Sequence, residues 1–192
     1  TKAFERFSSN IILTTKPEQI KRSDYLVLPG VGAFGDGITK IRKNNLAEPI
    51  KDFFRTGKPL LGICLGMQLL FQSSEEFGDH QGLNIIPGKV KKLPIQKNLK
   101  IPHIGWNSLI LPEYRVTWDK SILENISKER EFYFIHSYAA YPFNKKNWLS
   151  RSIYGSHWFC SSVQMDNVYG CQFHPEKSGE MGLKIIENFL QT

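Results

Sequence analysis

The sequence predicts an α/β fold with a central, mostly parallel sheet, helices on both faces and added antiparallel strands. Residues 1–71 alternate short apolar runs with stretches of helical spacing, which is typical of parallel strands joined by helices. Two of these runs, 24–28 and 59–64, are continuous, as expected for strands buried on both faces. From residue 86 onward, shorter strands bounded by turn residues indicate antiparallel pairs.

The individual elements follow from apolar spacing and turn residues. In the first half we expect the end of a helix at 1–7, a strand at 10–14, a helical turn at 16–20, a strand at 24–28, a glycine-rich loop at 29–35, two helical pieces in 36–55 and a strand at 59–64 leading into a helix. In the second half we expect strands in hairpins at 86–90 and 101–111, a strand at 131–138, a hairpin of 158–164 with 168–173, and a closing helix at 178–190.

Composition and length bound the class of protein. The 192 residues, 41% hydrophobic and 22% charged, are typical of one soluble domain spanning 1–192. We find no run long and apolar enough for a bilayer span and no secretory signal peptide. The three cysteines are odd in number and lack metal-ligand spacing, which favours a reducing, cytoplasmic setting over a disulfide framework.

The net charge of +7 raises the question of an acidic partner. The basic residues are scattered, and their densest cluster is Lys89, Lys91, Lys92, Lys97 and Lys100. Because this segment also contains prolines and strand-like spacing, a solvated sheet edge is favoured over a surface for nucleic acid or a phosphorylated substrate.

The stretch Gly62-Ile63-Cys64-Leu65-Gly66 places a cysteine between a buried strand and a helix. It is the cysteine version of the G-x-S-x-G nucleophile elbow. Glycines are needed there because a tight turn crowds its neighbours, and a helix N-terminus favours a thiolate. Alone, the motif is equally compatible with a buried structural cysteine in an ordinary strand-to-helix turn.

A second motif supplies the groups that a thiol nucleophile requires, namely a base and an acceptor that orients the base. His174 ends a strand, and Glu176 follows after Pro175, which fixes the short link. Cys64, His174 and Glu176 are therefore candidates for a catalytic triad. The alternative for His174 is a strand-end histidine paired with a nearby carboxylate.

Together, the motifs G-I-C-L-G-M-Q, Q-F-H-P-E-K-S and P-G-V-G-A-F resemble those of the class I (triad) glutamine amidotransferases. Within that family, P-G-V-G-A-F-G-D-G, H-I-G-W-N, Y-F-I-H-S-Y and F-H-P-E-K-S-G are similar to the glutaminase subunits of imidazole glycerol phosphate synthases. The resemblance runs through almost the whole chain in the family's order. It implies a flavodoxin-like amidotransferase fold and hydrolysis of L-glutamine to glutamate and ammonia.

The resemblance also implies residue roles. Cys64 would form a γ-glutamyl thioester, His174 would shuttle the proton, and Glu176 would orient His174. The remaining implied residues are Val31, Gly32 and the Leu65 N–H for the oxyanion hole, Gln68, Glu76 (with Glu75 as a rival), Ser137 and Tyr138 for substrate, and Trp106 and Asn107 for a partner interface. Alone, the 30–32 loop could be a simple turn, and His136 could be only a local hydrogen-bonding group.

The implied partner is a TIM-barrel synthase (cyclase) subunit, which forms a heterodimer and receives ammonia through a tunnel in histidine biosynthesis. We expect no cofactor, nucleic acid or membrane. We also expect no metal, because Cys64, His136 and His174 lack the close pairwise spacing of zinc ligands. Family members begin with a strand and a D-Y-G-x-G-N loop, so we expect an N-terminally incomplete domain with open pairing groups beside that strand.

Three other functions remain open from the sequence. A paralogous amidotransferase that supplies ammonia for surface-sugar biosynthesis would share every catalytic motif. A thiol hydrolase or peptidase on the same fold gives no reason for Gln68 and Ser137-Tyr138. A nucleic-acid-binding module would explain only the charge and predicts steeply salt-dependent binding.

Overall fold

The structure, a computed structural model, describes residues 2–8, 10–94 and 99–192. Thr1 of the expected first helix and Lys97 of the lysine cluster lie outside these residues. The helices are α1 (Pro17–Arg22), α2 (Phe34–Lys43), α3 (Ala47–Arg55), α4 (Leu65–Leu69) and α5 (Gly179–Phe189), with 3₁₀ turns at Phe4–Arg6, Lys145–Asn147 and Pro175–Lys177. In the described ranges, no helix has the length and apolar character needed to cross a membrane.

The strands of the described residues form three sheets. In chain order they are β1 (Leu26–Gly30), β2 (Leu60–Cys64), β3 (Phe71–Ser74), β4 (His80–Gln81), β5 (Ile86–Lys92), β6 (His103–Ser108), β7 (Glu131–His136), β8 (Tyr138–Pro142), β9 (Trp148–Tyr154), β10 (His157–Met165) and β11 (Val168–Cys171). The largest sheet has the order β1-β2-β11-β10-β9, the second has the order β4-β3-β5-β8, and the third joins β6 to β7.

The largest sheet places the ends of two sequence motifs next to each other. Strand β2 lies between β1 and β11 and is parallel to both, while β10 and β9 are added in antiparallel orientation. Because parallel strands end at the same edge of a sheet, Cys64 at the end of β2 lies beside the segment that follows β11. This arrangement brings Cys64 and the 172–176 segment to one edge.

Helices cover both faces of this sheet, as predicted. Successive residues of β2 point to opposite faces, so Leu61 packs in a core with Ile186 of α5, whereas Leu60 packs in a second core with Phe53 of α3 and Ile38 of α2. Both faces of β2 are therefore apolar, which explains its continuous hydrophobic sequence.

Some predicted elements are wrong. Residues 10–14 do not form a strand, because apolar spacing alone makes no strand without a neighbouring strand to pair with. Ile12 and Leu13 in this segment are 60% and 83% exposed. The first helix is only the 3₁₀ turn Phe4–Arg6. Strands β5 and β6 do not form a hairpin, since β5 pairs with β3 and β8 while β6 pairs with the distant β7.

Other predictions are confirmed within ordinary boundary error. The helical stretch after residue 33 divides into α2 and α3, with Asn45 between them at φ 55°. The hairpin of β10 and β11 turns at Asp166, which also has positive φ. The closing helix is α5.

Candidate active site

Cys64 lies at the turn between β2 and α4. Its backbone has φ 54° and ψ −112°, a conformation that is strained for a residue with a Cβ atom. The side chain is 7% exposed. The observed strand, sharp turn and helix are those of a nucleophile elbow.

The two glycines of the elbow are required by close packing. A Cβ at Gly66 would overlap the carbonyl oxygen of Leu28 in β1, and a Cβ at Gly62 would lie 2.6 Å from the backbone nitrogen of Met67. Since real Cβ atoms essentially never approach so closely, α4 can pack over the sheet only with glycine at both positions.

His174 and Glu176 lie beside Cys64, at the same edge of the largest sheet. His174 Nδ1 lies 2.7 Å from Glu176 Oε1, and the histidine side chain is 3% exposed. Burial alone would lower the pKa of His174, but hydrogen bonding and charge from Cys64 and Glu176 outweigh it and raise that pKa to about 9. At pH 7 the ring therefore carries the proton that a leaving amine needs.

Glu176 responds in the opposite direction. Partial burial acts to raise the pKa of its carboxyl, but the hydrogen bond and charge of His174 dominate and lower it. The carboxylate is thus ionised at neutral pH beside a protonated ring. Nε2, the other ring nitrogen of His174, is buried and has no partner of ideal hydrogen-bond geometry among the described residues. Cys64 is close enough to that ring to affect its pKa.

The loop that follows β1 begins beside Cys64. Gly30 pairs with Cys64 across the two parallel strands, and a Cβ at Gly30 would lie 2.9 Å from the Cβ of Leu65. Gly32 has φ +97°, and the side chain of Val31 is 80% exposed. Gly30, the last residue before positions 31 and 32, therefore lies against Leu65, the first residue of α4, whose N–H lies outside the helical ladder.

Gln68 lies one turn after Cys64 and is 5% exposed. Its Nε2 donates to the carbonyl oxygen of Tyr138 at 2.9 Å and to Oε1 of Gln172 at 3.0 Å. The side-chain amide hydrogens are thus used inside the protein. Ser137 forms the break between β7 and β8, and its carbonyl accepts from Leu93.

Of the two neighbouring acids, Glu76 lies toward the candidate oxyanion loop. Its Oε2 accepts from the backbone N–H of Phe34, the first residue of α2, at 2.6 Å. Glu75 accepts instead from the N–H of Lys92 on β5. Burial first, and then the charges of Glu76 and Glu75, raise the pKa of Tyr138. Both carboxylates therefore act electrostatically on the phenol.

A family model described as "Glutamine amidotransferase class-I" matches residues 5–192. The chain belongs to the class I glutamine amidotransferases. It is similar to "Imidazole glycerol phosphate synthase subunit HisH 1" of Legionella pneumophila (strain Lens), with 48% identity over 99% of this chain and 91% of that protein. A second relative is "Imidazole glycerol phosphate synthase subunit HisH" of Sulfurimonas denitrificans, with 45% identity over 97% and 88% of the two chains.

Solved structures support the amidotransferase fold. One titled "Crystal structure of glutamine amidotransferase" superposes with a TM-score of 0.73 over 99% of this chain and 89% of that chain. Its sequence identity is 17%, so it supports the fold alone. The predicted fold class is confirmed, and the chain is an enzyme of the amidotransferase family.

Of the two residues predicted at an interface, this amidotransferase exposes only one. Trp106 is 54% exposed on the outer face of β6, beside Ile104 at 56% and Ile135 of β7 at 40%. Asn107, the next residue, lies on the opposite face because strand side chains alternate. It donates to the carbonyl of Ile153 at 2.8 Å.

Sequence reasoning missed two polar features of the amidotransferase site. Gln172 is fully buried and donates to Cys64 Sγ at 3.8 Å. His103 and His136 pair through Nδ1 and Nε2 at 3.1 Å. The sequence signal that could have indicated Gln172 is a polar residue directly after an apolar strand. The histidine pair has no such local signal, because it depends on the register of β6 with β7. In the described residues, no group of three His, Cys, Asp or Glu side chains is arranged to hold a metal ion.

Proposed function

We propose that this chain is the glutaminase subunit of an imidazole glycerol phosphate synthase. In this role it hydrolyses L-glutamine to glutamate and ammonia with Cys64, His174 and Glu176. The ammonia then passes to a TIM-barrel cyclase subunit for histidine biosynthesis in the cytoplasm. The observation that carries the proposal is the convergence of a cysteine elbow with a buried, carboxylate-bound histidine in a chain 48% identical to a subunit of that name.

The proposed chemistry begins with Cys64 as the nucleophile and a protonated His174 as the acid. The Cys64 thiolate attacks the side-chain amide carbon of glutamine, and a C–S bond forms while the carbonyl oxygen becomes an anion. The N–H groups of Leu65 and of the Val31–Gly32 backbone stabilise that anion. The protonated ring of His174 gives its proton to the nitrogen, and the C–N bond breaks to release ammonia and a γ-glutamyl thioester.

The second half of the reaction regenerates the enzyme. Neutral His174 takes a proton from water as the oxygen adds to the thioester carbon. The adduct then collapses to glutamate and the Cys64 thiolate. Glu176 holds the ring in one orientation through Nδ1 and stabilises its charged form in both steps.

The remaining residues are proposed to recognise glutamine and the partner. Glu76 would bind its α-amino group, Ser137 and Tyr138 would lie near its α-carboxylate, and Gln68 would be a further contact to the substrate. The apolar outer face of β6 and β7, centred on Trp106, would contact the barrel, because exposed apolar patches of this kind mark protein interfaces.

The test is glutamine hydrolysis with and without the recombinant cyclase subunit and its nucleotide substrate. We expect strong stimulation by the cyclase subunit and loss of hydrolysis in Cys64→Ala. Hydrolysis that is unchanged in Cys64→Ala contradicts the glutaminase mechanism. Hydrolysis that depends on Cys64 but never responds to the cyclase subunit contradicts the proposed pathway and favours the surface-sugar alternative.

A further inference from the structure

Gln172 is a buried polar side chain next to the nucleophile. It follows β11, whose residues are all buried, and it is itself 0% exposed. Its backbone N–H donates to the carbonyl of Ser161 at 2.9 Å. Burying a side-chain amide costs free energy unless its atoms find hydrogen-bond partners. The contacts of this amide therefore identify what it does.

The orientation of the Gln172 amide is fixed by its neighbours. The carbonyl oxygen of Tyr138 can only accept, so the atom of Gln68 that lies 2.9 Å from it is the Nε2 donor. That same donor lies 3.0 Å from Gln172, which must present its Oε1 there. The Nε2 group of Gln172 consequently faces Cys64 Sγ at 3.8 Å.

The carbonyl of Tyr138 is itself held from a second side. His136 Nδ1 lies 2.9 Å from it and must therefore be the protonated nitrogen of that ring. His136 Nε2 then accepts from His103 Nδ1 at 3.1 Å. Burial lowers the pKa values of both rings, so they stay neutral near pH 7 and keep this pattern. The acceptor that orients Gln68, and through it Gln172, is thus fixed.

We propose that Gln172 is a positioning residue for the nucleophile Cys64. The Nε2–H group of Gln172 donates a hydrogen bond to the sulfur of Cys64 and favours the anionic form of that sulfur. A second polar contact of the sulfur is the carbonyl of Ile135 at 4.0 Å, which can accept from a thiol but offers no donor to a thiolate. The Nε2–H group of Gln172 supplies the hydrogen-bond donor that this carbonyl lacks. The inference rests on the proposed function, in which Cys64 is the nucleophile.

The test compares Gln172→Met with Gln172→Glu in the complex with the cyclase subunit. Methionine fills similar space without a donor. Glutamate keeps an oxygen for Gln68 but has no N–H for Cys64. The matched control is Gln164→Met, the same exchange on β10, where Oε1 has no hydrogen-bond partner in the described residues. Circular dichroism and thermal unfolding identify variants that fail to fold.

Two measurements distinguish a Gln172 that positions the sulfur of Cys64 from a Gln172 that only supports Gln68. The first is the rate of Cys64 alkylation by iodoacetamide at pH 7, followed by peptide mass spectrometry. The second is kcat and KM for glutamine. We expect both Gln172 variants to lower the alkylation rate and kcat by about tenfold, with KM little changed. This factor is at the low end of the range for a hydrogen bond to a charged group, because the N···S distance is long. Gln164→Met should behave like the unmodified protein.

Several outcomes overturn the inference. If alkylation and kcat are unchanged in folded Gln172→Met, the amide does not act on the sulfur. If Gln172→Glu behaves normally, or if only KM rises, then Gln172 merely supports Gln68. Cys64→Ser, measured alongside, separates the two proposals: retained hydrolysis contradicts the proposed function itself, whereas lost hydrolysis with normal Gln172 variants contradicts only the role of Gln172.

Discussion

Glu176→Gln tests how much the carboxylate contributes through His174. The substitution keeps the shape of the side chain but removes the charge that lies 2.7 Å from Nδ1 of a histidine whose side chain is 3% exposed. A hydrogen bond to a charged group contributes about 1.5–3 kcal/mol, and the lower part of this range applies because the Glu176 side chain keeps 35% exposure. A loss of about 1.5–2 kcal/mol corresponds to a decrease in kcat of roughly 10–30-fold.

The assay is steady-state glutamate formation with saturating cyclase subunit, compared with Cys64→Ala as the inactive reference. The pKa of His174, about 9 in the unmodified protein, should fall in Glu176→Gln because the ring loses a charged partner. NMR titration of the imidazole measures it. An unchanged kcat together with an unchanged pKa would refute the reasoning. A variant as inactive as Cys64→Ala would refute it as well, because an orienting group should not be essential.

Three further predictions concern packing, pH and the partner face. Gly66→Ala should unfold the elbow or destabilise the protein by about 3 kcal/mol or more, because its Cβ overlaps the Leu28 carbonyl; a normal urea midpoint would contradict this. Burial lowers the pKa values of His103 and His136 to about 4 and about 3, so the free energy of unfolding should fall as the pH drops from 6.5 toward 4, where only the unfolded chain takes up protons. Each ring contributes a slope of about 1.4 kcal/mol per pH unit, so His136→Gln should reduce the measured slope by about that amount; equal slopes in urea melts would exclude this origin. Trp106→Ala should weaken stimulation by the cyclase subunit by about tenfold or more while basal hydrolysis stays constant, whereas unaltered stimulation would place the interface elsewhere.

Local features of this protein could be predicted from sequence because their causes are local. The elbow at Cys64 requires a strand, two glycines and a helix within a few residues, and all are adjacent in the chain. His174 and Glu176 are separated by one proline, so their 2.7 Å contact needs no knowledge of distant structure. The hairpin around Asp166 is likewise a local turn.

Features that depend on distant pairing could not be predicted in the same way. The His103–His136 contact exists because β6 and β7 pair in a register that places these two residues opposite each other across 33 positions. Gln172 reaches Cys64 across 108 positions. Asn107 belongs to a motif tied to a partner interface, yet alternation along β6 turns it inward.

The most direct measurement is acid-quenched peptide mass spectrometry of the complex with the cyclase subunit during glutamine turnover. We expect a γ-glutamyl adduct on Cys64, in thioester linkage and therefore lost on treatment with hydroxylamine, and no adduct in Cys64→Ser. An adduct on another residue would contradict the central claim, as would turnover that continues in Cys64→Ser without any covalent intermediate.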